Sequence, residues 1–177
     1  MIGMKKVFIL NGSGGVGKDT FVGMVGEIIA VKHISIVDKV KEAARLFGWD
    51  NDKTERGRRF LSDLKDLSDG YNAFNMRYVK QAIGDFLDDE DGAKLLFVDV
   101  REPAQIQQLI NCFPDARTVL VTRKAVAPII TNHADAGVLG MRYDYTIRND
   151  GTLDDLREEA KRFMFCVAYV AGKEVLK

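Results

Sequence analysis

In the run Gly12-Ser13-Gly14-Gly15-Val16-Gly17-Lys18-Asp19-Thr20, glycines bracket a short loop and a lysine closes it. This is the G-x-x-x-x-G-K spacing, in which unhindered backbone N–H groups curl around phosphate oxygens and the N-terminus of a following helix adds favourable partial charge. Lys18 would reach the β- and γ-phosphates of a triphosphate, so ATP is the expected ligand of Gly12 through Thr20. Where a serine or threonine usually offers Mg²⁺ a hydroxyl, this chain has Asp19, then Thr20. A carboxylate is a good hard-oxygen ligand for Mg²⁺, directly or through water. The alternative role for Asp19 is a negative charge that favours a helix start.

Further along, Asp99 ends an apolar run, and Arg101 and Glu102 follow at once. A carboxylate at a strand end beside a phosphate loop can face Mg²⁺-bound water, and an arginine there suits a second phosphate through paired hydrogen bonds. A plain polar strand end is the alternative for both. Arg123 follows another apolar run and precedes an irregular stretch, the position of a lid arginine or of a solvated surface charge.

These residues need elements to hold them. Val7 to Leu10 is continuously apolar, as expected of a strand buried on both faces of a parallel sheet, and from Lys18 a helix is predicted with Phe21, Val22, Val25, Ile28 and Ile29 on one stripe. Ile34 to Val37 reads as a second strand, followed by a helix capped by Asp38 that runs through Phe47 and ends at Gly48. Residues 54 to 90 read as largely helical. Phe60, Leu64 and Leu67 form one stripe, Val79, Ala82, Ile83, Phe86 and Leu87 another, and Ser68 to Asn75 a polar loop between them. Trp49 and Phe47 are expected in the core, with an interface as the alternative. Leu95 to Val100 and Thr118 to Val121 are further strands around a helix from Pro103 to Ile110, and Tyr145 to Ile147 is a last strand. Leu153, Leu156, Ala160, Phe163, Val167 and Val170 mark a closing helix. Alternating strands and helices predict an α/β fold with a parallel sheet covered on both faces.

At 177 residues the chain fits one domain. Its 26 basic and 26 acidic residues cancel, which recommends neither a nucleic acid nor an anionic membrane as partner. Cys112 and Cys166 sit in apolar stretches with no second pair, so neither a disulfide framework nor a zinc site is expected, and a reducing, cytoplasmic setting is. The apolar run near Met1 is too short for a signal-peptide core or a membrane span.

Together these segments resemble the nucleoside monophosphate kinase superfamily of P-loop NTPases, in the branch holding phage-type deoxynucleoside monophosphate kinases and animal-type phosphomevalonate kinases. The resemblance runs through Gly12 to Thr20, Val37-Asp38-Lys39-Val40-Lys41-Glu42, Phe74-Asn75-Met76-Arg77, Val98-Asp99-Val100-Arg101-Glu102-Pro103 and Tyr143 to Thr152. The Gly-Lys-Asp ending of the loop is its most specific part. It implies a five-stranded parallel core, an acceptor-binding helical region at about 38–90 and a lid at about 124–143. It also implies that Lys18 and Asp19 serve ATP and magnesium, that Arg77 and Arg101, with Lys41, hold the acceptor's phosphate, and that Asn149 lies near the adenine. Phosphomevalonate kinases of this type carry basic residues inside the loop, whereas Ser13, Gly14, Gly15 and Val16 are uncharged. The 124–143 stretch has Lys124 and Arg142 but no arginine cluster.

The expected activity is ATP-dependent phosphoryl transfer to a small phosphorylated acceptor, with a (deoxy)nucleoside monophosphate first. Lys18, Arg101 and Arg123 are the expected catalytic residues, and Asp19 and Asp99 the expected metal ligands. The alternatives are a phosphomevalonate kinase-like activity and a nucleotide-binding regulatory protein that has lost transfer. A nucleic-acid ATPase would need a basic stripe and stacking aromatics along one face, which this sequence lacks.

Overall fold

A computed structural model describes residues 5–89, 92–126 and 140–174, with side chains of the last helix up to Tyr169. Along the chain run β1 Lys6–Asn11, α1 Lys18–Gly26, β2 Val31–Ser35, α2 Asp38–Leu46, α3 Glu55–Asn72 and α4 Phe74–Asp88. There follow β3 Leu95–Asp99, α5 Pro103–Cys112, β4 Arg117–Thr122, β5 Tyr145–Arg148 and α6 Leu153–Glu174. The strands form one five-stranded sheet in the order β2-β3-β1-β4-β5, and the pairs β1–β3, β1–β4 and β4–β5 are parallel. Leu10 pairs with Asp99, so the end of β1 and the end of β3 lie side by side.

The bare apolar runs become the strands buried on both faces: Ile9, Leu10 and Leu95 through Val98 are fully buried. One face of the sheet carries an aromatic cluster. Phe163 of α6 stands 5.0 Å from Phe8, 5.4 Å from Phe21 and 5.1 Å from Tyr145, and Phe8 stacks on Phe97 at 5.3 Å. Each buried phenylalanine contributes about 1.5–3 kcal/mol. Since Phe21 belongs to α1, the cluster fixes the helix whose first turn follows the glycine loop.

The chain divides into two compact units, one formed by the segments up to His33 and from Asp89 onward, the other Ile34–Asp88. Within the second, α2 packs on α3 and α3 on α4. Thr54 caps α3 by accepting the Gly57 N–H at 3.2 Å. Trp49 donates its indole N–H to the Asp52 carbonyl at 3.2 Å, and the Arg45 guanidinium lies 5.9 Å from the ring centre.

Several sequence expectations change. The second strand lies at Val31–Ser35, and Ile36 and Val37 belong to the turn after it. Asp38 is the first residue of α2 rather than its cap, because its carboxylate accepts the Ser35 N–H at 2.7 Å and so holds that turn. Helix α1 stops at Gly26, leaving Ile28 beyond it and exposed. The expected Ser68–Asn75 loop is helical except for Ala73, which bends the chain at φ 53°; the Asn75 amide bonds back to Ser68 Oγ and Asp69 Oδ1, each at 2.9 Å. That bond uses the polar residues to close a helical corner. Phe47 is exposed and rests edge-on against Phe60, and Leu67, Leu87 and Leu153 are also exposed, so these stripes are only partly covered. Cys112 and Cys166 are free and exposed rather than in apolar surroundings. No helix among the described residues is long and apolar enough to cross a membrane.

Candidate active site

Between β1 and α1 the glycine loop is held from three sides. Gly12, at φ +143°, lies so close to β4 that a Cβ would sit 2.5 Å from the Val121 carbonyl oxygen. Val16 is buried in the core and pins the middle of the loop. Gly17 takes φ +96° at the N-cap of α1, and a side chain there would strike the Asn149 amide. Asn149 is itself buried. Its Nδ2 donates to the Val16 carbonyl at 2.9 Å and its N–H to the Thr122 carbonyl at 2.8 Å. Its side-chain amide thereby braces the loop.

Lys18 opens α1, and its ammonium donates to the carbonyls of Gly12 at 2.8 Å and Ser13 at 3.2 Å. The charge thus sits across the loop, where a phosphate would meet it. Ser13 and Gly14 are half-buried, and Gly15, Asp19 and Thr20 are exposed.

Sequence reasoning missed Asn11. It ends β1 fully buried, its Oδ1 accepts the Gly12 N–H at 2.7 Å, and its Nδ2 donates to the Arg101 carbonyl at 3.2 Å and to the Tyr143 hydroxyl at 2.9 Å. Burial raises the Tyr143 pKa, and the Asn11 bond partly opposes the rise. The available signal was a polar residue closing an apolar strand. Its partners depend on strand order, which local pattern does not carry.

His33 of β2 was missed as well. Its Nε2 lies 3.2 Å from Asp99 Oδ1, and its Nδ1 4.0 Å from Asp19 Oδ1. One donor atom from each of Asp19, His33 and Asp99 falls within 4.8 Å of the others. Two carboxylates and an imidazole are a donor set that suits a divalent cation.

Arg101 is exposed two residues past the end of β3, and Arg123 is exposed immediately after β4. The loop, Asp99, Arg101, Arg123 and Asn149 therefore all lie at or just past strand ends of one unit. Lys41 and Arg77 belong to Ile34–Asp88, where Lys41 Nζ lies 3.8 Å from Asp38 Oδ1 and Arg77 is exposed on α4. Of the stretch expected to form a lid, 127–139 lies outside the described residues. At its start the Lys124 N–H donates to Asp150 Oδ1 at 2.7 Å.

No protein-family model and no curated protein matches the sequence. Solved structures do match. The dephospho-CoA kinase from Campylobacter jejuni superposes with a TM-score of 0.52 at 16% identity, over 91% of this chain and 96% of that one. A gluconokinase from Sinorhizobium meliloti 1021 gives 0.52 at 14% identity, over 98% and 97%. The chain has the P-loop NTPase fold. The shikimate kinase from Bacteroides thetaiotaomicron also shares it, with a TM-score of 0.50 at 12% identity, over 92% and 98%. In a P-loop NTPase of this topology ligands gather outside the carboxyl ends of the strands. Gly12, Asp99, Arg101, Arg123 and Asn149 all occupy that edge.

Proposed function

We propose that the chain transfers the γ-phosphoryl group of ATP to a small acceptor that already carries a phosphate, a nucleoside or deoxynucleoside monophosphate. The observation that carries this reading is the braced glycine loop with Lys18 laid across it, one strand away from Asp99. That the similar structures are kinases of dephospho-CoA and shikimate and a gluconokinase favours a small acceptor over a macromolecule.

Phosphoryl transfer asks a protein chiefly for positioning and charge neutralisation. The loop N–H groups and Lys18 would bind the β- and γ-phosphates. Arg101, Arg77 and Lys41 would hold the acceptor's phosphate, and Arg123 would offset charge during transfer. Asp19 and Asp99 would hold the divalent cation that accompanies ATP, which when bound neutralises charge on the phosphates. The uncharged residues 13–16 favour a nucleotide acceptor over phosphomevalonate.

The test is ADP release from ATP over a panel of ribo- and deoxynucleoside monophosphates and phosphomevalonate. Acceptor-dependent release with at least one nucleoside monophosphate is expected. ATP binding with no transfer to any of them leaves a nucleotide-binding regulatory protein in place of a kinase.

A further inference from the structure

A magnesium site needs only oxygen donors, yet an imidazole stands among the carboxylates here. His33 reaches in from β2, Asp99 from the end of β3 and Asp19 from the first turn of α1. The side chains of His33 and Asp99 are 26% and 20% exposed, whereas that of Asp19 is 92% exposed and has room to turn. Two donors on one cation at about 2.0–2.2 Å stand roughly 3.0–3.4 Å apart. The 3.2 Å between His33 Nε2 and Asp99 Oδ1 falls inside that window.

Donor chemistry then decides which cation. Mg²⁺ seeks an octahedral oxygen shell and gives up water reluctantly, while imidazole suits first-row transition ions, whose affinity rises from Mn²⁺ through Co²⁺ toward Cu²⁺. We propose that His33 is a metal ligand, and that Asp99, His33 and Asp19 form a mixed nitrogen–oxygen site that takes a transition-metal dication in preference to Mg²⁺. The position of this cation beside the phosphate loop rests on the phosphotransfer reading; its binding does not.

The test uses the full chain with Mn²⁺ alone, without nucleotide. Pulsed electron paramagnetic resonance of the bound ion is expected to show modulation from a directly bound ¹⁴N. The chain's other histidine is His133, so His33→Gln assigns the signal. That variant should lose the modulation and bind Mn²⁺ at least about tenfold more weakly. Co²⁺ should displace Mn²⁺ at lower concentration than Mg²⁺ does. Mn²⁺ bound without the ¹⁴N signal, a signal that persists in His33→Gln, or no Mn²⁺ binding overturns the proposal. If His33→Gln does not fold, His133→Gln decides instead: a signal kept in that variant assigns the nitrogen to His33, and a signal lost there overturns the proposal. A nitrogen signal without transfer to any acceptor supports the metal site and removes the kinase reading alone.

Discussion

The side-chain amide of Asn11 donates a 2.9 Å hydrogen bond to the hydroxyl of Tyr143, 132 positions along the chain. The same amide holds the Gly12 N–H and the Arg101 carbonyl, so one buried side chain ties the entrance of the phosphate loop to two distant segments. A buried polar group left without a partner costs about 1–3 kcal/mol. Asn11→Ala should therefore lower the urea-unfolding free energy by about 2 kcal/mol or more, and Tyr143→Phe by about 1 kcal/mol. An Asn11→Ala protein as stable as wild type would show that the amide is dispensable.

Lys18→Ala removes the charge laid over the loop and its bonds to Gly12 and Ser13. Transfer should fall by at least about 10²-fold, as for loss of one positioned charge at the transition state, with the far-ultraviolet dichroism unchanged. Near-normal turnover would remove Lys18 from the site.

Gly17→Ala meets two obstacles, the positive φ and the Asn149 amide. ATP affinity, measured by calorimetry, should drop sharply. Adding Asn149→Ala relieves the collision but leaves the positive φ and removes the brace on the Val16 carbonyl, so the double variant should recover part of the loss at most. Full recovery would mean that the backbone conformation of Gly17 is unimportant.

Arg101 and Arg77 present guanidinium forks that match phosphate oxygens in a way lysine cannot. Arg101→Lys and Arg77→Lys should weaken acceptor use, in KM, kcat or both, and leave ATP binding without acceptor nearly unaltered. Loss of ATP binding with acceptor affinity intact would reverse the assignment of the two halves of the site.

Acid should loosen the start of α6. The Asp155 carboxylate accepts the Thr152 N–H at 2.7 Å and its hydroxyl at 2.8 Å, and these bonds depress the Asp155 pKa below its ordinary value. A depressed carboxylate pKa gives stability that is present above the unfolded value and lost as pH falls through the folded one. The stability gap between wild type and Asp155→Asn should accordingly be open at neutral pH and close as pH falls below about 4. A gap that is constant across that range would assign the effect to something other than ionisation.

The phosphate loop and the strands around it were legible because their signals are local. Val7 to Leu10 and Leu95 to Val98 are unbroken apolar runs, and the glycine spacing sits directly between a strand and a helix. The start of strand β2 is hidden in the sequence because Val31, Lys32 and His33 mix apolar and polar side chains, a weaker pattern than the runs of the central strands. The corner at Ala73 reads as a loop in the sequence because Ser68, Asp69 and Asn75 are turn-forming types, and only their bonds to one another show them closing a helical bend. Asn11 and His33 escaped notice for a different reason. Each acts on residues supplied by other strands, and that neighbourhood exists only once β3 lies beside β1 and β2.

The indole of Trp49, hydrogen-bonded to Asp52 and faced by Arg45, is the single tryptophan of the chain and belongs to the Ile34–Asp88 unit. Its emission is therefore a built-in optical reporter of that unit. The aromatic cluster around Phe163 contains phenylalanines and Tyr145, which are spectrally quiet when the indole is excited selectively. A fluorescence titration thus reads the surroundings of the 34–88 helices without a label, while the packing around Phe8 and Phe97 stays dark.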